Sequence, residues 1–435
     1  MISTAEKARS AYADLPEGWT SRRLRFDVRL NPKKSALNMK PDELVSFVPM
    51  DSIGENGGMR LDENRELADV YEGYTYFEDG DLCIAKITPC FENGKGALAE
   101  GLTNGVGFGT TELHVVRPRS GIARRFLFYI SIANDFRKIG ESEMYGAGGQ
   151  KRIDEGFIKD WMPPLPPLGI QQRIAQFLDK KTARIDGLIE KKRTLLKRLT
   201  EKRQALITRA VTKGLNPDAP MSPSDIEWLG EIPAHWEVKR LKFVTSAPLS
   251  YGANATAEFD EPAWPRFVRI TDVDELGRLR DETFRSLPPE VAKGYLLQPS
   301  DILLARSGAT VGKSFIYKES WGIACYAGYL IRARISAKYD ARFFYWFLNS
   351  KHYWEWVQST FIQSTIQNIS AERYANLQVP HPTDRIEQQR IVDFIESTCA
   401  ELDGHVEKVM CSVERLQEYR SALITAAVTG QLEVA

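Results

Sequence analysis

Gln171-Gln172-Arg173-Ile174 opens a stretch that runs to Lys213, and Gln388-Gln389-Arg390-Ile391 opens it again, running to Gln431. Both copies pass through Asp-Gly, at Asp186-Gly187 and Asp403-Gly404. Both close on Ala-Leu-Ile-Thr followed by Ala-Val-Thr, at Ala205–Thr212 and Ala422–Thr429. Every match lies 217 residues from its partner, with no insertion. A repeat held at one period means that one architectural plan is used twice.

Each copy reads as one long helix. In the second, apolar residues fall at Leu402, Val406, Val409, Val413, Leu416, Leu423 and Ala427, in steps of four and three with one position skipped. The first fills the same register with Ile185, Ile189, Leu196, Leu199, Leu206 and Ala210. Such steps mark a heptad seam, so each helix calls for a partner helix rather than a globular core. A surface helix packed on its own domain would show a wider stripe and a shorter run, typically ~8–20 residues. Lys192, Arg203 and Arg420 also fall in seam positions, so the coil is expected to loosen or admit water there.

Charge points to the partner. Residues 171–213 carry thirteen bases, from Arg173 to Lys213, against Asp179, Asp186, Glu190 and Glu201. The second copy inverts the balance: Asp393, Glu396, Glu401, Asp403, Glu407, Glu414 and Glu418 outnumber Arg390, Lys408, Arg415 and Arg420. A basic and an acidic helix with matching seams are expected to pair with each other, because flanking charges select partner and orientation.

The whole chain sets the bounds. At 435 residues it exceeds a single core, and the repeat implies two globular units. A composition 43% hydrophobic and 27% charged is that of a soluble globular protein. No apolar run approaches ~18 residues and the start lacks a signal core, so a cytoplasmic location is expected. Cys83, Cys90, Cys325, Cys399 and Cys411 form no CxxC pair, which suits reduced thiols. The five histidines show no metal spacing. A net charge of zero decides nothing about nucleic acid, since a local patch does the binding.

Outward from the helices the repeat persists in pieces. Leu15-Pro16-Glu17-Gly18-Trp19 is answered by Ile232-Pro233-Ala234-His235-Trp236, a turn into the first strand. Gly80 to Lys86 parallels Ser300 to Arg306, each a turn followed by a buried strand ending in a base. Asn93-Gly94-Lys95 and Val311-Gly312-Lys313 follow. Then come a strand near Leu113–Val116 (Leu330–Arg332) and an aromatic helix over Phe126–Ala133 (Phe343–Leu348). The aromatic stripes Phe126-Phe128-Tyr129 and Phe343-Phe344-Tyr345-Trp346 are assigned to core rather than to base stacking. Pro163, Pro164, Pro166 and Pro167, and later Pro380 and Pro382, are expected to mark the hinge into each long helix, because proline breaks a strand ladder.

The expected fold class is α+β: two tandem pseudo-symmetric globular α/β domains separated by two long antiparallel coiled-coil helices. The divisions are a first globular domain over 1–168, a spacer helix over 169–214 and a polar linker over 215–231. A second domain over 232–386 and a second spacer helix over 387–435 complete the chain. Helices of that length span roughly 60 Å. A rigid spacer holding two variable heads suits an extended periodic ligand such as duplex DNA, read as half-sites on one face.

With these residues in place the chain resembles the specificity subunits of type I restriction–modification systems. The resemblance rests on Ile226-Glu227-Trp228-Leu229 leading into Gly230–Leu241, on the Pro-rich turn with Gln-Gln-Arg-Ile, and on the Asp-Gly heptad helices ending in Ala427–Gly430. It covers residues 12–432 and both halves. It implies two target-recognition domains for a bipartite, asymmetric double-stranded DNA sequence. It also implies paired helices that act as ruler and docking surface for two adenine methyltransferase (modification) subunits, with ATP-dependent restriction subunits joining them.

No catalytic machinery is legible. Gly308–Ser314 resembles a phosphate-binding loop but has one residue too few between its glycines, and its counterpart shares only Gly-Lys. There is no Asn-Pro-Pro-aromatic methyltransferase tetrapeptide, so neither enzyme activity nor a cofactor or metal is expected of this chain. For DNA contacts, Lys86, Lys95, Arg306 and Lys313 recur at equivalent places and suit phosphate positioning. Gln150-Lys151-Arg152 and Gln363, Gln367 and Asn368 lie in loops just before the Pro turn and are the candidates for base readout. Two other classes stay open: a two-headed scaffold that binds protein rather than DNA, and an enzyme with a hidden nuclease site.

Overall fold

The computed structural model describes residues 15–147, 149–274, 277–361 and 368–434. The long helices run Leu168–Lys213 and Arg385–Val428. Each is stopped by a glycine in the left-handed region, Gly214 (φ 72°) and Gly430 (φ 77°), the conformation that ends a helix at lowest cost.

The chain forms two compact units. The first comprises Met1–Arg193 with Met410–Ala435, the second Thr194–Val409. Each unit thus owns a globular domain and one half of each long helix. In the first unit a single core joins Ile174, Leu178, Ile185 and Ile189 to Leu423, Ile424, Ala427 and Val428, with Val413 and Leu416 packed on it. In the second, Ile207, Ala210 and Val211 meet Ile391, Val392, Ile395 and Cys399, with Leu206 alongside. Within each unit, an early segment of one helix lies against a late segment of the other, so the pairing is antiparallel. Of the expected seam residues, Ile185, Ile189, Leu402 and Leu423 are buried. Leu196, Leu199, Leu206, Val406, Val409, Val413 and Leu416 are half-buried.

The charge expectation needs correction. Among the described residues, two ion pairs join the helices, and they are reciprocal. Arg203 reaches Asp403 at 3.1 Å, and Arg420 reaches Asp186 at 2.9 Å. Each is the seam arginine of one copy on the Asp-Gly aspartate of the other. The second pair runs against the overall polarity, its base lying on the acidic helix. The basic excess of the first helix is spent on solvent: Lys180, Arg184, Lys191, Lys197 and Lys202 are exposed. Arg203 and Arg420 are therefore bonded, not sites of loosening. Arg420 is the more enclosed, with 8% of its side chain exposed, and it also donates to the Asn56 side-chain oxygen at 3.1 Å.

Two further repeats explain residues that the repeat alone left without a role. Gln171 and Gln388 are buried, and each accepts a backbone N–H at the start of the aromatic helix, from Ala123 and Asp340, at 2.8 Å. Each also donates back to the Pro turn, to Pro166 O at 2.9 Å and Pro382 O at 2.7 Å. At the far end of each helix, Thr425 Oγ1 accepts from Asn134 N at 3.0 Å and Thr208 Oγ1 from Lys351 N at 2.9 Å. These hydroxyls cap the starts of helices Asn134–Glu143 and Lys351–Phe361 from outside.

Each domain carries an antiparallel four-stranded sheet of one design. In the first the order is Val28–Leu30, Leu113–Pro118, Leu82–Ala85, Gly96–Leu98. In the second it is Ser250–Tyr251, Leu330–Ala333, Ile302–Ala305, Ser314–Ile316. Beside it lies a parallel pair, Leu44–Val48 with Val106–Gly109 or Arg266–Val268 with Ala324–Tyr326, extended to four strands only in the first domain. The aromatic helices, Arg124–Ser131 and Ala341–Phe347, are core as expected, with Phe126, Phe128, Tyr129, Phe343 and Phe344 buried.

One expectation fails on the connections. Pro164, Pro380 and Pro382 lie within two-stranded ladders, paired with Ser21, Val238 and Trp236. A two-stranded ladder is all edge, so a proline nitrogen can face outward without costing a bond. Within the linker, Met221–Pro223 pairs with Glu231–Pro233, and Ile226 and Leu229 are buried in the second core.

Replacing Arg420 by Ala is expected to cost roughly 2 kcal/mol, because the buried guanidinium is bonded to both Asp186 and Asn56 although Asp186 itself stays half-exposed. Arg203→Ala should cost about 1 kcal/mol, because Arg203 is one-third exposed. Denaturant unfolding of the two variants checks the order, and equal losses would contradict it.

Candidate nucleic-acid interface

The candidate site begins with a buried aspartate. Asp81 and Asp301 open the central strands at 2% and 1% exposure, each receiving two 2.7 Å bonds from an arginine across the sheet, Arg117 or Arg334. The preceding residue takes a positive φ in both, 94° at Gly80 and 70° at Ser300. With its start pinned, the strand delivers Lys86 or Arg306 to its far end.

There the same backbone frame recurs. Ala85 N donates to Lys95 O at 3.0 Å and Ala305 N to Lys313 O at 2.8 Å. Ile153 N donates to Lys86 O at 2.9 Å and Ile369 N to Arg306 O at 2.8 Å. Isolated bridges Ile87–Arg152 and Ser307–Asn368 bind the later loop to the strand end. The structure therefore gathers Lys86, Lys95, Gln150, Lys151 and Arg152 in one domain, and Arg306, Lys313 and Asn368 in the other. Gln363 and Gln367 lie outside the described residues.

The side chains differ in availability. Gln150, Lys151 and Lys313 are exposed, and Lys86 is half-buried. Lys95 is turned inward, donating to Met50 O at 3.3 Å with Asp51 at 3.9 Å. Arg152 is committed to Glu112 through bonds of 2.8–3.2 Å, and those bonds hold the Glu112 carboxyl below its usual range. Lys95 and Arg152 therefore shape the loops, whereas the other cations and amides face outward.

Three tyrosines beside these strand ends were not singled out by sequence. Tyr145, whose backbone pairs with that of Arg152, is 63% exposed, and Tyr329, whose carbonyl accepts from Arg306 N, is 67% exposed. Tyr251 is 40% exposed and lies under the Arg306 guanidinium. The repeat offers a weak signal for one of them, since Tyr329 stands 217 residues after Glu112. The phosphate-loop likeness at Gly308–Ser314 leads nowhere: after Lys313 the chain enters a strand rather than a helix. Among the described residues no cluster of His, Cys, Asp and Glu could hold a metal, and no helix is long and apolar enough to cross a membrane.

Two domains of one plan, each presenting cations, amides and exposed rings from the same strand end, define a two-headed recognition protein. A family model described as type I restriction modification DNA specificity domain matches residues 16–198 and 235–407. The chain thus belongs to the family of type I restriction–modification specificity subunits. The EcoAI specificity subunit of Escherichia coli is 45% identical over 164 residues, 37% of this chain and 27% of that protein. The EcoEI specificity subunit of the same organism is 41% identical over 170 residues, 38% and 28% of the two chains. These alignments span little more than a quarter of either relative. The MjaVIII specificity subunit of Methanocaldococcus jannaschii is 25% identical over 71% of this chain and 70% of its own. In fold, the chain resembles one from a type I R-M system solved for its complex assembly and conformational transition. The TM-score is 0.76 at 17% identity, over 96% of this chain and 100% of that one. The HsdS subunit of Thermoanaerobacter tengcongensis gives a TM-score of 0.54 at 17% identity, over 96% and 98%.

One titrating group sits beneath the first domain's loop. His114 is buried, its Nε2–H donating to Ile153 O at 3.0 Å, and burial pushes its pKa down. The folded imidazole binds its proton less tightly than the free side chain, near ~6.5. Its stabilisation is full above that value and is lost as pH falls below it. Melting temperature is expected to drop between pH 7.5 and 5.5, and His114→Gln, which keeps a donor but does not titrate, should lessen the drop. An unchanged pH profile in the variant would contradict this role.

Proposed function

We propose that this chain reads a bipartite, asymmetric DNA target with its two domains and holds two adenine methyltransferase subunits, through which restriction subunits join. The observation that carries the reading is the combination of identity and difference between the repeats. Gln171 and Gln388, Thr208 and Thr425, and the reciprocal Arg–Asp pairs are equivalent in both copies. The strand-end side chains are not equivalent: Lys86 and Arg152 stand where the second domain has Arg306 and Asn368. Equivalent supports suit two copies of one partner, and unlike display loops suit two unlike half-sites. The long helices set the spacing between those half-sites. The chain itself contributes recognition and assembly, and the chemistry belongs to its partners.

Methylome sequencing of cells expressing the complete system should return one asymmetric bipartite motif. Binding by the assembled complex should be salt-dependent and restricted to that duplex. Equal affinity for all duplexes at physiological salt would overturn the reading and favour a protein-binding scaffold. Metal-dependent cleavage by the isolated chain would instead favour a nuclease.

Inserting one heptad in both long helices should lengthen the preferred gap between half-sites. An unchanged gap would show that the helices do not set it.

A further inference from the structure

Among the described cations at the two strand ends, Arg306 is set apart by what holds its side chain, since the backbone bonds that fix it recur at Lys86. The Arg306 N–H donates to Tyr329 O at 3.1 Å and its carbonyl accepts from Ile369 N at 2.8 Å, so the backbone is fixed on both sides. Its guanidinium carbon lies 4.7 Å from the centre of the Tyr251 ring. That ring is itself anchored, the Tyr251 hydroxyl accepting from Ala371 N at 3.0 Å. Its Nε–H donates to Asn368 Oδ1 at 3.4 Å. Among the described residues no carboxylate pairs with it, whereas Arg152 in the other domain spends its fork on Glu112.

A ring on one face and an amide on Nε leave one edge of the guanidinium, the Nη1–Nη2 edge, for a ligand. The plane of that edge is set before anything binds. A phosphate can take the same fork, but it does not require a fixed plane, and at the equivalent strand end the flexible ammonium of Lys86 stands in its place. A fixed planar pair of donors matches two acceptors in one plane, which in duplex DNA are guanine O6 and N7 in the major groove. The stacked ring and the amide also remove the rotamer freedom that an exposed arginine would otherwise lose on binding.

We infer that Arg306 reads a guanine in the half-site bound by the second domain, with Tyr251 and Asn368 as its positioning residues. This rests on the DNA-reading function proposed above and assigns one base to one side chain. Arg306 therefore specifies sequence, in contrast to the phosphate-positioning role that its recurrence at a strand end suggests.

The test uses the assembled methyltransferase complex and its methylome-defined duplex, with each guanine replaced in turn by 7-deazaguanine, which lacks N7. For the native complex, one such replacement should weaken binding roughly five- to a hundredfold. In the Arg306→Lys complex, which keeps the charge but not the fork, the same replacement should have no effect, and discrimination at that base pair should relax. Tyr251→Leu should move affinity in the same direction with the same base dependence, while Tyr251→Phe, which keeps the ring, should retain most of it.

If Arg306→Lys preserves the motif and every 7-deazaguanine effect, or only weakens all duplexes uniformly, Arg306 is a phosphate contact and the inference is overturned. A target without a guanine N7 sensed through Arg306 overturns it as well. Loss of sequence preference in the native complex would instead count against the proposed function itself. Unchanged melting of the Arg306→Lys chain separates a reading defect from a folding one.

Discussion

Each domain is closed by residues of the other copy's long helix. The first core is completed by Leu423, Ile424, Ala427 and Val428, and the second by Ile207, Ala210 and Val211. The borrowed segments are also bonded at their polar positions. Arg420 holds Asp186 in the first unit and Arg203 holds Asp403 in the second, while Thr425 and Thr208 cap helices of the domains they cover. A helix seam that only buried apolar surface would tolerate slippage. A buried arginine that must find one aspartate does not, because leaving the Arg420 guanidinium buried and unpaired is costly. The reciprocal pairs therefore fix register, and register decides which helical residues complete each core.

Much of this was legible because it is periodic. The long helices, their seam and their antiparallel pairing follow from residues at heptad steps and from one repeat length. What failed was the charge argument. Counting bases on one helix and acids on the other treats all charges alike, yet exposed charges contribute little, and the ion pairs that join the helices are two specific Arg–Asp contacts. Those pairs were visible in the sequence as Asp-Gly and a seam arginine in each copy, and they were misread as weak points. The Pro turns were misjudged for a related reason: proline excludes itself from the interior of a sheet, not from a two-stranded edge.

The recognition surface was less legible. Repeat position located the strand-end bases correctly, since backbone frames recur even where side chains change. It could not say which cations are free. Lys95 and Arg152 look identical in sequence to exposed bases, and only the fold shows them bonded to Met50 and Glu112. Nor could it reveal Tyr251 beneath Arg306, because residues 55 positions apart meet across the four-stranded sheet, and the first domain's corresponding strand, Val28–Leu30, holds no tyrosine. Conserved support and divergent display are separated in space, and sequence reasoning follows the first far better than the second.

The dependence of each domain on the other copy's helix is the claim on which the rest stands. Hydrogen exchange on the full chain and on a chain ending at Val409 tests it directly. Removing residues 410–435 should strip protection from helices Arg124–Ser131 and Asn134–Glu143, while the second domain's strands Ile302–Ala305 and Leu330–Ala333 keep theirs. Unchanged protection across the first domain would mean that it folds without the second helix, and the account would be wrong.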